Sequence, residues 1–281
     1  MTALATRDFT AFMEDPDNPD IPNVIHSTDA ARDYGYEAAL VGGVTVYGWT
    51  VATIREALGD GWLELGWAEI AFRRPVYPDD RLTIQVEQVA NGAHELTVSK
   101  GPNEDAITGR VGLGRAAWAA ELHRPQDVEA RPRPDTLPLL TPEVAPVGQD
   151  LRPMPVPLSA EAATRYAVEQ EADGDALWFG PDPRIHPGWL AARCTPFIHH
   201  SYDYGPAIHA RSQIQHLAPA HSGPGEGQTL VVAGTFVETF ERKGHHYGVV
   251  DCLIRSEDGV DLAQIRHTTI YQVAKRTRTT D

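Results

Sequence analysis

Hydrophobic residues recur along the chain at two spacings. Val44, Tyr47, Val51, Ile54 and Leu58 fall three or four positions apart, the spacing of one helix face, and Gly59 follows where a C-terminal cap is expected. Beyond it the period shortens, and four runs read as strands: WAEIAF (67–72), RLTIQVEQV (81–89), HELTVSK (94–100) and GRVGLGRAAWAAEL (109–122). The second part of the chain repeats that order. Pro187 suits the first position of a helix. HARSQIQHL (209–217), QTLVVAGTFVETF (228–240), HYGVVDCLIRS (246–256) and VDLAQIRHTTIYQV (260–273) then read as strands, with SEDG (256–259) as a hairpin turn between the last two.

The parallel extends to register. LVGGVTVYGW starts at Leu40 and RIHPGWLAAR at Arg184, 144 positions later; EIAFRRPVYP starts at Glu69 and QIQHLAPAHS at Gln213, again 144 later. RLTIQVEQV at Arg81 matches TLVVAGTFV at Thr229 at a separation of 148, which a four-residue insertion within the glycine-rich HSGPGEGQ (221–228) explains. A constant offset across separate landmarks predicts a duplication. Prolines concentrated in 125–157 predict an extended connector, since proline suits neither helix interiors nor central strands. The expected units are residues 1–124 and 158–281. One helix followed by a meander of long antiparallel strands is an α+β plan in which a curved sheet wraps a buried helix. Present twice, it is a tandem hot-dog, and the two halves are expected to form a pseudo-dimer within the chain.

Composition narrows the functions. The 281 residues include 24 Lys and Arg against 39 Asp and Glu, a net charge of −15, so nucleic-acid binding is not expected. The same balance weighs against anionic ligands unless a local patch serves them. Arg73 and Arg74 stand together in AFRRPVYP, with Lys100, Arg110 and Arg115 further on, and read either as such a patch or as solvated strand-end charges. Two cysteines, Cys194 and Cys252, are too few for a disulfide framework and suit a reducing compartment. No apolar run reaches about 18 residues, so no membrane span is expected. The acidic start MTALATRDFTAFMEDPDNPD lacks a signal pattern, so a cytoplasmic protein is expected. Histidines are frequent after position 185, yet no Cys or Glu stands near them at ligand spacing, and no metal site is expected. Gly-x-Ser-x-Gly, P-loop and Gly-x-Gly-x-x-Gly patterns are missing, and no cofactor is expected.

NVIHSTDAARDYGYEAALVGGVTVYG (23–48) and AFRRPVYPDDRLTIQVE (71–87) resemble the MaoC-like family of hot-dog acyl-thioester hydratases and dehydratases. AIHARSQIQHLAPAHSG and ERKGHHY in the second half look like the same fold without its motif. The resemblance covers most of both halves. It implies a hydro-lyase that adds or removes water at the double bond of an enoyl or 3-hydroxyacyl thioester, carried by coenzyme A or a carrier protein. His26 matches the family histidine, the general base or acid, and Asn23 matches the asparagine that orients a partner. Counting back to the family aspartate lands on Ile21, a departure from the motif; Asp20, one residue away, is the candidate. Gly43 and Val44 match the start of the central helix, whose free amides would receive the thioester oxygen, and Gly42 beside them leaves room for a ligand to approach the backbone. His186 occupies the position of Gly42 in the second half; it, His209 and Tyr47 are candidates to line a shared pocket.

Blander readings stand beside these. His26 reads equally as a loop histidine bonded to backbone, with Ser27, Thr28 or Asp29 capping a short helix over DAARDYG. The departure at position 21 fits a non-catalytic acyl-thioester or small-molecule binder, and a thioesterase on the same fold is a third alternative. Whether the pseudo-dimer stands alone or pairs again into a homodimer is open at this level.

Overall fold

Ten antiparallel strands join into one sheet whose order is β1-β3-β4-β5-β2-β7-β10-β9-β8-β6. The computed structural model describes residues 2–13, 23–89, 94–224 and 227–274. In the first half lie β1 (Thr2–Thr10), β2 (Gly66–Phe72), β3 (Arg81–Gln88), β4 (His94–Ser99) and β5 (Asp105–Leu113). In the second lie β6 (Gln149–Leu158), β7 (Ile208–His216), β8 (Gln228–Arg242), β9 (His245–Arg255) and β10 (Asp261–Gln272). Matching β6–β10 to β1–β5 makes the order read alike from either end, as a pseudo-twofold axis requires.

That axis can be placed to the residue. β2 and β7 are the seam between halves, and in their antiparallel register Glu69 faces Gln213. These two residues are 144 positions apart, the offset of the repeat, so each faces its own counterpart and the axis passes between them. The chain is thus a pseudo-dimer whose halves share one continuous sheet.

Each half wraps its sheet around a broken helix. Helices α1 (Thr28–Asp33), α2 (Gly43–Gly48), α3 (Val51–Leu58) and α4 (Trp62–Leu65) belong to the first half, and α5 (Ala160–Arg165), α6 (Pro187–Ala191) and α7 (Cys194–His199) to the second. Val46, Tyr47, Val51 and Ile54 are buried in one hydrophobic core that continues into Trp189, Leu190, Phe197 and Ile198. Gly59 caps α3 with φ of 80°, a conformation that glycine adopts without strain. Pro187 is the first residue of α6, where its missing N–H costs no helical bond. At the centre α2 crosses α6 so closely that a Cβ on Gly188 would lie 3.1 Å from the Gly48 Cα. Both cysteines are buried and free. No described helix is long and apolar enough to cross a membrane.

The structure departs from the sequence reading in four places. The helix expected over Val44–Leu58 is broken between Gly48 and Val51 into α2 and α3. β1 and β6 were not anticipated as strands, and β6 takes up the end of the proline-rich stretch, pairing with β8. Pro153, Pro155 and Pro157 recur at every second position, so their nitrogens share one side of the strand, and an edge strand has one side without a partner. β5 starts four residues earlier than its run suggested and stops at Leu113, because Gly114 turns the chain at φ of 77° and a 3-10 turn follows at Ala117–Glu121. Ser27 does precede α1, but its side chain makes no capping hydrogen bond.

Candidate active site

A cavity of about 380 Å³ lies between the two halves. The first half contributes Asn23, His26 and Gly42–Val44 to its wall; the second contributes Thr195, Ala207–Ala210 and Thr269. Most of the remaining wall is aliphatic, and no Asp or Glu lines it among the described residues.

His26 ends a 3-10 turn (Val24–His26) that leads into α1. Its Nδ1 lies 2.6 Å from the carbonyl oxygen of Leu40. A carbonyl only accepts, so Nδ1 carries the proton and the neutral ring keeps a lone pair on Nε2. Burial lowers the His26 pKa below 6.5, and the Leu40 bond only partly opposes this. The imidazole is therefore a free base at neutral pH, the state that a proton acceptor needs.

The ring stands beside the start of α2. A Cβ built on Gly42 would meet His26 Cε1 at 3.7 Å. One on Gly43 would come within 3.0 Å of Phe72 Cε1 and 3.2 Å of His209 Cβ, tighter than ordinary contact. Gly42 is the N-cap of α2, so the amides of Gly43 and Val44 lie in the first turn, where a helix has no intrahelical acceptor for them. A basic nitrogen and free amide donors thus share one mostly apolar chamber.

Asn23 works across the seam. Its Nδ2 donates to the Ala207 carbonyl at 2.8 Å, and its Oδ1 accepts from the Ala207 N–H at 3.1 Å. Nδ2 also lies 3.4 Å from His26 Nε2. Asn23 therefore sets the histidine loop against the second half as well as facing the imidazole. Asp20 lies outside the described residues.

The other sequence candidates divide. His209 is on the cavity wall, its ring tilted against Phe72 at 4.3 Å between centroids and its Nε2 2.7 Å from Ser212 Oγ. His186 and Tyr47 are not on that wall. His186 is the N-cap of α6, its Nδ1 accepting from the Gly188 amide at 3.1 Å and its ring edge-on to Trp178, fully inside the second half. Tyr47 is wholly buried in the core. His199 is the last residue of α7 and His200 its C-cap. No group of three or more His, Cys, Asp or Glu side chains that could hold a metal occurs among the described residues.

The pseudo-twofold axis has a second position for the same site, and there the cavity is closed. Leu63, Ile185, Pro187, Leu190, His216 and Ala220 surround a space of about 10 Å³, room for no more than a water. At the 144 offset these are the counterparts of Ala207, Val41, Gly43, Val46, Phe72 and Val76, all of which line the open cavity. Leu63 takes the place of Ala207 and Trp62 that of Pro206, and Trp62 is fully buried against His216 at 4.9 Å. Gln170 stands where the offset would put His26. On the same side the Glu171 carboxyl is wedged at the helix crossing: a Cβ on Gly48 would lie 1.9 Å from one of its oxygens, and one on Gly188 2.5 Å from the other. Of the wall contributed by the second half, the sequence reading named His209 but not Thr195, Ala207 or Thr269, although the offset aligns Gly61–Leu65 with Gly205–His209 and thereby pairs large residues with small ones.

No family model and no curated protein matches the chain in sequence. Among solved structures, the chain is similar to a protein from Chloroflexus aurantiacus described as a MaoC domain dehydratase, with 14% identity and a TM-score of 0.68 over 97% of this chain and 95% of the other. A Mycobacterium tuberculosis protein with a double hotdog fold superposes with a TM-score of 0.54 at 12% identity, over 95% of this chain and 96% of the other. A Lactobacillus plantarum protein described as an oleoyl thioesterase does so at 0.51 and 9%, over 97% of each chain. Likeness at such identities speaks to architecture: the chain is a double hot-dog, built on the plan of the MaoC-like dehydratases.

Proposed function

We propose that the chain is an acyl-thioester hydratase or dehydratase with one working site per chain. The observation that carries the reading is the neutral His26 imidazole, its Nδ1 held by Leu40, in a mostly apolar cavity beside the first-turn amides of α2. In the hydration direction His26 Nε2 takes a proton from water as the water oxygen bonds to the β-carbon. The double-bond electrons shift toward the thioester carbonyl, whose oxygen becomes enolate-like. The amides of Gly43 and Val44 receive that oxygen; a preorganised donor of this kind lowers a barrier by about 3 kcal/mol. The α-carbon then takes a proton from the imidazolium or from Asp20, its proposed partner, and dehydration is the reverse. Asn23 holds the histidine loop in place while facing Nε2.

A thioesterase on this fold is the competing reading, favoured by the likeness to the Lactobacillus plantarum protein. Incubation with crotonyl-coenzyme A or a longer enoyl thioester tests both. Loss of the enoyl absorbance, abolished in His26→Ala, supports the hydratase. Release of free thiol without loss of the double bond supports the thioesterase and overturns the hydratase.

A further inference from the structure

We infer that Arg73 and Arg74 form an anion-binding mouth that selects the phosphate-bearing carrier arm of the thioester. The inference rests on the acyl-thioester reading of the cavity. Both side chains are exposed, and both line the 380 Å³ cavity whose deeper wall is aliphatic. Consecutive residues on a strand point to opposite faces, so two adjacent arginines on one cavity need an explanation. β2 ends at Phe72, and the amides of Arg73 and Arg74 then both turn toward the same acceptor, Ala106 O, at 2.8 and 3.5 Å. This departure from the ladder breaks the alternation, Arg74 lying in a bend immediately before Pro75.

Their partners are neutral. Arg73 Nε donates to Thr108 Oγ1 at 2.8 Å and Arg74 Nη2 to Asn103 O at 3.2 Å, and neither forms an ion pair among the described residues. Arg55, Arg124, Arg184, Arg211, Arg255 and Arg266 pair with carboxylates while others, Arg110 and Arg115 among them, form no ion pair among the described residues; Arg73 and Arg74 are the unpaired arginines that line the cavity. Nearby Lys100 is likewise engaged, 2.7 Å from Asp80. Both guanidinium groups belong to the lining of one cavity with no carboxylate to neutralise them among its described wall residues, so an anion entering there meets uncompensated positive charge. Guanidinium forks match phosphate geometry, and the rest of a protein at net −15 would otherwise repel such a ligand. Coenzyme A and the phosphopantetheine of a carrier protein both present this chemistry.

Three matched crotonyl esters separate the cases: of coenzyme A, of phosphate-free pantetheine, and of a phosphopantetheinylated carrier protein. The wild type is expected to favour a phosphate-bearing ester over the pantetheine ester by about tenfold or more in kcat/KM, chiefly through KM. Whichever phosphate-bearing ester is preferred identifies the source. The ratio should shrink with added salt and fall toward one in Arg73→Gln/Arg74→Gln, with the single Arg74→Gln as a second, milder variant. Turnover of all three esters at equal efficiency, or an unchanged ratio in the double variant, overturns the mouth and leaves the hydratase reading standing. If no ester is turned over, that reading fails instead, and calorimetric titration with coenzyme A and with pantetheine still decides the mouth: tighter coenzyme A binding that the double variant loses upholds it, and equal binding sinks it.

Discussion

The side-chain amide of Asn23 and the backbone of Ala207, 184 positions apart, bond each other in both directions, at 2.8 and 3.1 Å. The pair mimics a rung of a β-ladder between a loop of one half and a strand approach of the other. It makes the position of His26 depend on how the two halves meet.

Asn23→Ala removes both bonds and leaves a partly buried N–H and C=O unpaired. The expected cost is about 1–3 kcal/mol of stability, read as a lower midpoint in denaturant unfolding. Asn23→Asp keeps the acceptor for the Ala207 N–H but sets a carboxylate against the Ala207 carbonyl, and should be worse than Ala at neutral pH and better in acid. An Asp variant with wild-type stability at neutral pH would show that the amide donor contributes nothing there.

Activity should persist as the medium is acidified through pH 6.5. Burial lowers the His26 pKa, so the ring stays neutral, and competent as a base, below the pH at which an exposed histidine is half charged. A profile of kcat/KM against pH should place the acid limb below 6.5, and His26→Gln should abolish turnover while preserving the unfolding midpoint to within about 1 kcal/mol. An acid limb above 6.5 would assign the titration to another group.

Glu171 should make the protein lose stability toward alkaline pH. Burial, reinforced by the charge of Asp173 and opposed by the Tyr166 hydroxyl, lifts its pKa to about 8 from 4.5. Between those values the folded chain holds a proton that the unfolded chain has released, so stability declines as pH rises from 4.5 and levels off above 8. Glu171→Gln keeps the shape without the charge. Its melting temperature should exceed that of the wild type at pH 9, by an amount equivalent to a few kcal/mol, and the difference should vanish near pH 4. Parallel curves for the two proteins would mean that the wedge at the helix crossing is already neutralised by other means.

Adjacent glycines should respond differently to a methyl group. At Gly42 the nearest side-chain atoms lie 3.5 and 3.7 Å from a Cβ, so Gly42→Ala should fold normally. At Gly43 the contacts are 3.0 and 3.2 Å, and Gly43→Ala must push Phe72 or His209 into the cavity, costing about 1–3 kcal/mol and lowering turnover well beyond its effect on stability. Equal behaviour of the two variants in both assays would show that the cavity wall yields freely.

How much of this was legible beforehand depended on burial. The eight strands foreseen carry buried apolar residues, either alternating, as in β3, where Leu82, Ile84 and Val86 point inward, or as a continuous run, as in β9. β1 has a single buried residue, Ala5, and β6 is interrupted by prolines, so neither edge strand carries the alternation that marks a strand. At the site, Asn23, His26 and Gly43 were singled out by the resemblance of 23–48 to the MaoC-like motif, not by any periodicity. Thr195, Ala207 and Thr269 are small, carry no motif, and reach the cavity only through tertiary pairing. His186 looked like a second site residue because it aligns with Gly42, yet Trp62 and Leu63 fill the space it would have faced, a fact that only packing reveals.

The plug made by Trp62 and Leu63 also changes the arithmetic of loading. In a dimer of identical subunits one gene specifies both chambers, so any residue that closes one closes its twin. Joining the copies end to end lifts that constraint: one chamber has filled with indole and leucine while Pro206 and Ala207 keep the other hollow. A titration of this chain with a tight ligand of the hollow should therefore saturate at one equivalent.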